Sequence, residues 1–210
     1  MSSDLPPSPP TSALLTLTPG SVIVFEGLDK AGKSTQLGRM KQSTDPSGTT
    51  FAHMPSGISG FTAGVYALLE NKDTTPSHPL ARQLAHLACH SEVMPTLVDK
   101  AERGALVLDR WWWSTLAYGW YGRGEGAFGI EEPTFRALVE EIWAPIRAHV
   151  VFLFLHAYES DRNNVDGVAE GYRTLADQSS ATVVRIPAGP EDDTHEFLIA
   201  ELKRLGLAHG

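Results

Sequence analysis

Residues 22–35 read Val-Ile-Val-Phe-Glu-Gly-Leu-Asp-Lys-Ala-Gly-Lys-Ser-Thr, an apolar β-branched run passing straight into the pattern GxxxxGK[ST]. No other stretch constrains the fold as tightly, because it demands a buried strand, a phosphate-binding loop and a helix start in immediate succession. Gly27 and Gly32 provide backbone angles closed to residues that carry a β-carbon. Successive amide N–H groups then point inward as a concave anion site, reinforced by the positive end of the following helix. Lys33 adds a point charge for the β- and γ-phosphates, Ser34 offers a hydroxyl to Mg²⁺, and Thr35 extends the polar helix start. The stretch therefore predicts a grip on a nucleoside triphosphate.

Strand-like runs recur at 21–26, weakly at 49–52, and at 105–109, 150–155 and 181–186, each short, apolar and rich in β-branched residues. Helical spacing fills the intervals at 33–43, 58–70, 79–103, 112–121, 132–143, 167–178 and 193–205. Such alternation predicts an α/β protein, a five-stranded parallel sheet with helices on both faces. Ligands in such sheets sit beyond the carboxyl ends of the strands, where the loop at 27–34 and the pair Asp109-Arg110 both fall.

With 210 residues and 42% hydrophobic content the chain suits one domain, expected over 21–210. A net charge of −8 gives no global pull toward nucleic acid, so binding DNA would need a local basic cleft. The single cysteine, Cys89, excludes an internal disulfide; it reads as a small buried side chain and fits a reducing cytoplasm. Residues 1–20 carry Pro6, Pro7, Pro9, Pro10 and Pro19 among serines and threonines, without the positive start of a signal peptide. They read as an extended or disordered arm. No apolar run approaches the ~20 residues needed to span a bilayer, so a soluble protein is expected.

Three segments together resemble the thymidylate kinase family. Residues 25–36, Phe-Glu-Gly-Leu-Asp-Lys-Ala-Gly-Lys-Ser-Thr-Gln, are similar to its phosphate loop, with an acidic residue two positions after the first glycine. Residues 108–118, Leu-Asp-Arg-Trp-Trp-Trp-Ser-Thr-Leu-Ala-Tyr, resemble its Asp-Arg-aromatic segment at a strand end, and 171–176, Gly-Tyr-Arg-Thr-Leu-Ala, its penultimate helix. The resemblance implies the P-loop NTPase fold with strand order 2-3-1-4-5. It also implies ATP and Mg²⁺ as cofactors, held by Gly27, Asp29, Lys30, Ala31, Gly32, Lys33, Ser34 and Thr35. In that scheme Lys33, Lys30, Arg110 and Asp109 are catalytic. Asp29 approaches the acceptor's sugar, Arg110 holds its phosphate, and Asp109 orients Arg110 or joins Ser34 at the metal. The expected acceptor site comprises Asp29, His53, Pro55, Arg82, His86, His90, Arg110, Trp111, Ser114 and Tyr118. The family commonly dimerises, and the apolar faces of 58–70 or 79–103 would serve.

Departures from the family concentrate on the acceptor side. His53 stands where the family has an arginine before a proline, so a permanent cation gives way to a largely neutral group. His86 and His90 occupy the places of the base-stacking aromatic and base-bonding arginine. With Arg82 they form a stripe at i, i+4 and i+8, opposite Leu80, Leu84, Leu87 and Met94. This stripe is read either as a solvated face or as a cleft lining. The arginine-rich lid is reduced to residues 157–167; Lys30 is the first candidate to replace its charge, ahead of Arg162, Arg123 and Arg173. Trp111, Trp112, Trp113 and Trp120 crowd beside Arg110, and consecutive tryptophans on a helix cannot share a face, so at least one is core and at least one faces cleft or solvent. Three readings follow. The first is a kinase moving the γ-phosphoryl of ATP to a deoxypyrimidine nucleotide in the cytoplasm. The second is a kinase of the same ancestry acting on a modified base such as hydroxymethyluracil in DNA, in a viral setting within the host cytoplasm. The third is a non-catalytic nucleotide-binding module.

Overall fold

The computed structural model describes residues 14–54, 58–123 and 128–210. Five parallel strands form the centre: β2 (Val22–Gly27), β3 (Thr49–His53), β4 (Ala105–Asp109), β5 (Val150–Phe154) and β6 (Thr182–Arg185), ordered β3-β4-β2-β5-β6. Counted along the chain as five strands, this is the expected order 2-3-1-4-5. In β2, Ile23, Val24 and Phe25 are fully buried, as are Val150, Val151, Phe152 and Leu153 in β5. Strands buried on both faces explain these unbroken apolar runs. Each such side chain contributes roughly 1.5–3 kcal/mol of burial.

Among the described residues seven α-helices surround the sheet: α1 (Lys33–Ser43), α2 (Gly60–Glu70), α3 (Pro79–Arg103), α4 (Trp112–Leu116), α5 (Glu132–Trp143), α6 (Asp166–Gln178) and α7 (Glu191–Arg204). Start signals are local. Ser59 and Thr62 form a reciprocal capping box on α2, and α3 opens with Pro79 at its first position behind His78, whose ring accepts from the Leu80 amide. The expected single helix over 112–121 is divided, because α4 runs into one π-helical turn at Ala117–Tyr121. That turn widens the chain where Tyr118 and Trp120 leave it.

One expectation is corrected at the N-terminus. Residues 14–20 are not part of a disordered arm: Thr16–Leu17 (β1) pairs antiparallel with Ala208–His209 (β7), and Leu15 and Leu17 are buried. The burial of these two leucines and the partner strand at the far end of the chain hold the segment in place. Residues 1–13, where the rest of the expected arm falls, lie outside the described residues. Among the described residues no helix is long and apolar enough to cross a membrane.

Candidate active site

The phosphate loop joins β2 to α1 beside the carboxyl end of β5. Gly27 has φ +130°, and a β-carbon there would sit 2.0 Å from the Phe154 carbonyl oxygen. Only glycine fits that approach. Lys33 is buried and its Nζ donates to the carbonyls of Gly27 (3.1 Å) and Leu28 (2.5 Å). Burial, and then the charge of Arg110, push its pKa down from 10.5 to about 8. Ser34 and Thr35 are exposed at the helix start. Lys30 holds a left-handed backbone (φ 60°) and a loose, exposed pair with Glu159 at 3.8 Å.

The short segment after β5 folds onto this loop. The Tyr158 amide donates to the Lys30 carbonyl (3.0 Å), and Asn164 clamps Asp29, accepting from its amide (3.0 Å) and donating to its carbonyl (2.7 Å). Tyr158 also bonds Gly189 in both directions, at 2.9 and 3.2 Å. A cavity of about 250 Å³ opens between the loop residues Gly32 and Thr35, Tyr158, and Pro187 in the turn after β6.

A second cleft, of about 740 Å³, is lined by Arg110 and Asp29. It brings together Asp29, Arg82, His86, His90, Arg110, Trp111, Ser114 and Tyr118 from the expected acceptor set. Pro55 lies outside the described residues. His53 is not among the residues lining this cleft; its Nδ1 meets Asp109 Oδ2 at 2.8 Å near the β3–β4 edge, where the two residues share a register position. Burial alone would raise the Asp109 pKa, but the His53 bond and the charges of His53, Arg110 and Lys33 outweigh it and lower it.

Of the two roles expected of Asp109, orienting Arg110 or joining the metal, the first has no hydrogen bond behind it among the described residues. Arg110 adopts φ 74°, which turns its side chain toward Asp29, and Arg110 Nη2 donates to Asp29 Oδ1. Its Nη1 donates to the Gly27 carbonyl (3.1 Å) and to Ser114 Oγ (3.0 Å), and the guanidinium lies 5.3 Å from the Tyr118 ring centroid. A non-glycine residue held in this region stores ~1–3 kcal/mol of strain, which is typical of functional sites. Tyr118 is therefore a support as well as a lining residue: its hydroxyl accepts from the Asp29 amide at 2.8 Å.

The α3 stripe lines the cleft rather than forming a solvated face, and its two histidines differ. His86 Nδ1 is 3.0 Å from the Tyr66 hydroxyl, and burial lowers its pKa to about 4. His90 is buried, and its Nδ1 accepts from Trp143 Nε1 at 3.1 Å. Burial and then His86 push its pKa to about 3. A neutral imidazole that accepts at Nδ1 carries its hydrogen on Nε2. The opposite face of α3 is less uniform than expected, since Leu87 and Met94 are buried while Leu84 is exposed. Among the tryptophans, Trp113 is core and Trp111 lines the cleft.

Several contributors had no role assigned from the sequence: Tyr66, Gln83 and Asn164, and also Glu26 and Tyr172, which stand in the segments that carry the resemblance. Glu26 carried a signal, an acid closing an otherwise apolar strand. Gly119 in the π-turn lies so close to the Gln83 side chain that a β-carbon would be 2.6 Å from it, which is how α3 presents Gln83 at the cleft wall. Of the proposed lid substitutes, Arg123 and Arg162 line the cleft, whereas Arg173 pairs with Glu170 at 3.1 Å on the surface.

A phosphate loop at the head of a 2-3-1-4-5 sheet, with a second cleft meeting it at a strained arginine, defines a P-loop nucleotide kinase. A sequence model of thymidylate kinase matches residues 25–137. The chain is 30% identical over 219 aligned positions to the thymidylate kinase of Chlorobium chlorochromatii, covering 87% of this chain and 94% of the relative. It is 30% identical over 190 positions to that of Alkalilimnicola ehrlichii, covering 82% and 87%. The solved thymidylate kinase of Ehrlichia chaffeensis superposes with a TM-score of 0.68 at 20% identity, over 87% of this chain and 98% of the other. That of Candida albicans gives 0.66 at 17% identity, over 93% and 96%. This chain belongs to the thymidylate kinase family.

Proposed function

We propose that this kinase transfers the γ-phosphoryl group of ATP to the phosphate of a deoxypyrimidine monophosphate, thymidylate being the acceptor that its relatives' names suggest. Arg110 carries the reading: one guanidinium, fixed at the meeting point of phosphate loop and cleft, suits an acceptor phosphate brought in line with the donor. An acceptor phosphate oxygen attacks the γ-phosphorus, the bond to the β–γ bridging oxygen breaks, and ADP leaves. Lys33 and the loop amides neutralise the donor phosphates, Arg110 the acceptor phosphate, and Lys30 supplies charge at the loop's open edge. Placement and neutralisation provide most of the rate in such transfers. The hydroxyl of Ser34 and the carboxylate of Asp109 are hard oxygen donors of the kind Mg²⁺ takes. An Mg²⁺ ion held by these two residues would supply positive charge that offsets that of the phosphates.

The neutral His90 supports a base bearing a carbonyl at that edge. An Nε2–H donor matches the O4 of thymine or uracil and opposes the amino group of cytosine. The exposed apolar residues Phe61 and Leu68 on α2 and Leu84 on α3 support pairing of two copies through that face. A monomeric mass in solution at micromolar concentration would remove the pairing.

The test is transfer from γ-labelled ATP with Mg²⁺ to a panel of deoxynucleoside monophosphates, hydroxymethyl-deoxyuridylate, and DNA with and without hydroxymethyluracil. Label on thymidylate or deoxyuridylate, lost in Lys33→Ala with the fold intact, is the expected result. Label confined to DNA would transfer the assignment to the modified base, and no label anywhere would leave a nucleotide-binding module.

A further inference from the structure

We propose that Glu26 is the positioning residue for Arg110, acting through the hydroxyls of Ser114 and Tyr172 and touching neither substrate. The proposal rests on the reading of Arg110 as the acceptor-phosphate ligand. Glu26 sits in β2 one residue before the phosphate loop, and its side chain is fully buried. A carboxylate in such a place is costly unless its lone pairs are filled.

They are filled completely. Oε1 accepts from the amides of Trp111 (2.7 Å) and Ser114 (3.0 Å); Oε2 accepts from Ser114 Oγ (2.6 Å), Tyr172 Oη (2.9 Å) and the Gly27 amide (3.3 Å). Every one of these contacts brings a hydrogen to the carboxyl group, so the site is built for the ionised form. Burial pulls the other way and raises the Glu26 pKa, while the Arg110 charge opposes that rise.

Among the described residues Glu26 and Arg110 do not bond directly. The guanidinium instead donates through Nη1 to Ser114 Oγ (3.0 Å) and Tyr172 Oη (3.4 Å), the same two oxygens whose hydrogens go to Glu26. Ser114 Oγ and Tyr172 Oη also lie 2.8 Å apart, so the two hydroxyls and the carboxylate form one cluster. Because the carboxylate can only accept and the guanidinium can only donate, the hydroxyl hydrogens run toward Glu26 and hydroxyl lone pairs face Arg110. The result is a polarised chain from cation to anion with one layer of hydroxyls between. The carboxylate also secures the backbone on the far side of the arginine, through the first amides of α4. On the near side the Arg110 amide donates to the Phe25 carbonyl at 2.9 Å. The left-handed conformation of Arg110 is thus held from both sides, and its Nη1 edge is fixed by hydroxyls rather than by a second carboxylate, Asp29 being the one acid that its Nη2 meets directly.

Tyr172 is also fully buried, so Tyr172→Phe interrupts the chain without entering the cleft. The experiment compares wild type, Tyr172→Phe, Glu26→Gln and Arg110→Lys in KM for thymidylate and for ATP, in kcat, and in melting temperature. The expected result is a rise of about tenfold or more in the thymidylate KM of Tyr172→Phe and Glu26→Gln, with the ATP KM within about twofold of wild type. A lowered melting temperature with both KM values unchanged, or both KM values rising together, overturns the proposal. If Glu26→Gln does not fold, Tyr172→Phe decides. ¹⁵N NMR of the guanidinium reads the positioning without reference to substrate: the Arg110 Nη1 signal should shift in Tyr172→Phe while Nη2, held by Asp29, moves less, and unaltered signals overturn the proposal. An Arg110→Lys variant with normal thymidylate KM would instead refute Arg110 as the phosphate ligand, an outcome distinct from failure of the relay.

Discussion

Raising the pH from 7 to 9 should weaken ATP binding to the nucleotide-free protein about tenfold, because the phosphate-loop lysine loses its proton in that interval. Lys33 is buried between two loop carbonyls and near the Arg110 charge, and its pKa falls from 10.5 to about 8. A group of that pKa is roughly 90% protonated at pH 7 and roughly 10% at pH 9, and only the charged form attracts the β- and γ-phosphates. Few other groups in the site compete for the effect. Asp109 titrates below its usual range, His86 and His90 are neutral above about 4 and about 3, and Cys89 is pushed up from 9.0 by burial. Equilibrium binding of ATP at constant free Mg²⁺ across this range, in wild type and Lys33→Met, measures the effect. Constant affinity in wild type, or an equal slope in the variant, would refute the argument. Stability should move the other way. The unfolded chain holds the lysine proton up to 10.5 while the folded protein releases it near 8, so the unfolded state binds more protons between these values. Nucleotide-free stability therefore rises with pH in that window, by up to about 3 kcal/mol.

Three further outcomes are expected. Gly27→Ala should destabilise the protein by on the order of 3 kcal/mol, since its β-carbon would fall 2.0 Å from the Phe154 carbonyl oxygen at φ +130°; a loss below about 1 kcal/mol in chemical denaturation contradicts the loop geometry. Lys30→Met should cut turnover about tenfold or more with ATP affinity unchanged, and an unchanged rate would show that the lid charge comes from elsewhere, with Arg162 the next residue to test. In acid, the depressed pKa values of His86 and His90 mean that the unfolded chain takes up protons first. Stability is full above about pH 6.5 and falls below it, at up to ~1.4 kcal/mol per pH unit for each histidine. His90→Asn should reduce the slope by up to ~1.4 kcal/mol per pH unit, measured as denaturation midpoints between pH 6.5 and 4.

Much of this molecule was legible from residue order, and the reason is locality. A β-branched run, two glycines, a lysine and a helix start act on one another within fourteen residues, so residues 22–35 specify strand, loop and α1 with little help. The same holds for the alternation that makes the sheet, and α3 begins at Pro79 and ends at Arg103 as its spacing predicts. Residues 14–20 defeated that approach because their partner strand lies at residues 208–209.

The cleft side was decided by tertiary structure. Asp109 and Arg110 are adjacent in the chain, yet the left-handed backbone at Arg110 sends them to different partners, His53 and Asp29. His86 and His90 are one turn apart on one stripe, yet a tryptophan on α5 makes one of them a buried acceptor with a fixed hydrogen. Glu26 and Tyr172 meet across 146 positions. By itself the sequence determined the strand, the phosphate loop and the helix that follows it, because those forces act between near neighbours. Which groups line the cleft, and in what protonation state, depends on burial and on contacts between distant segments, and only the folded chain supplies those.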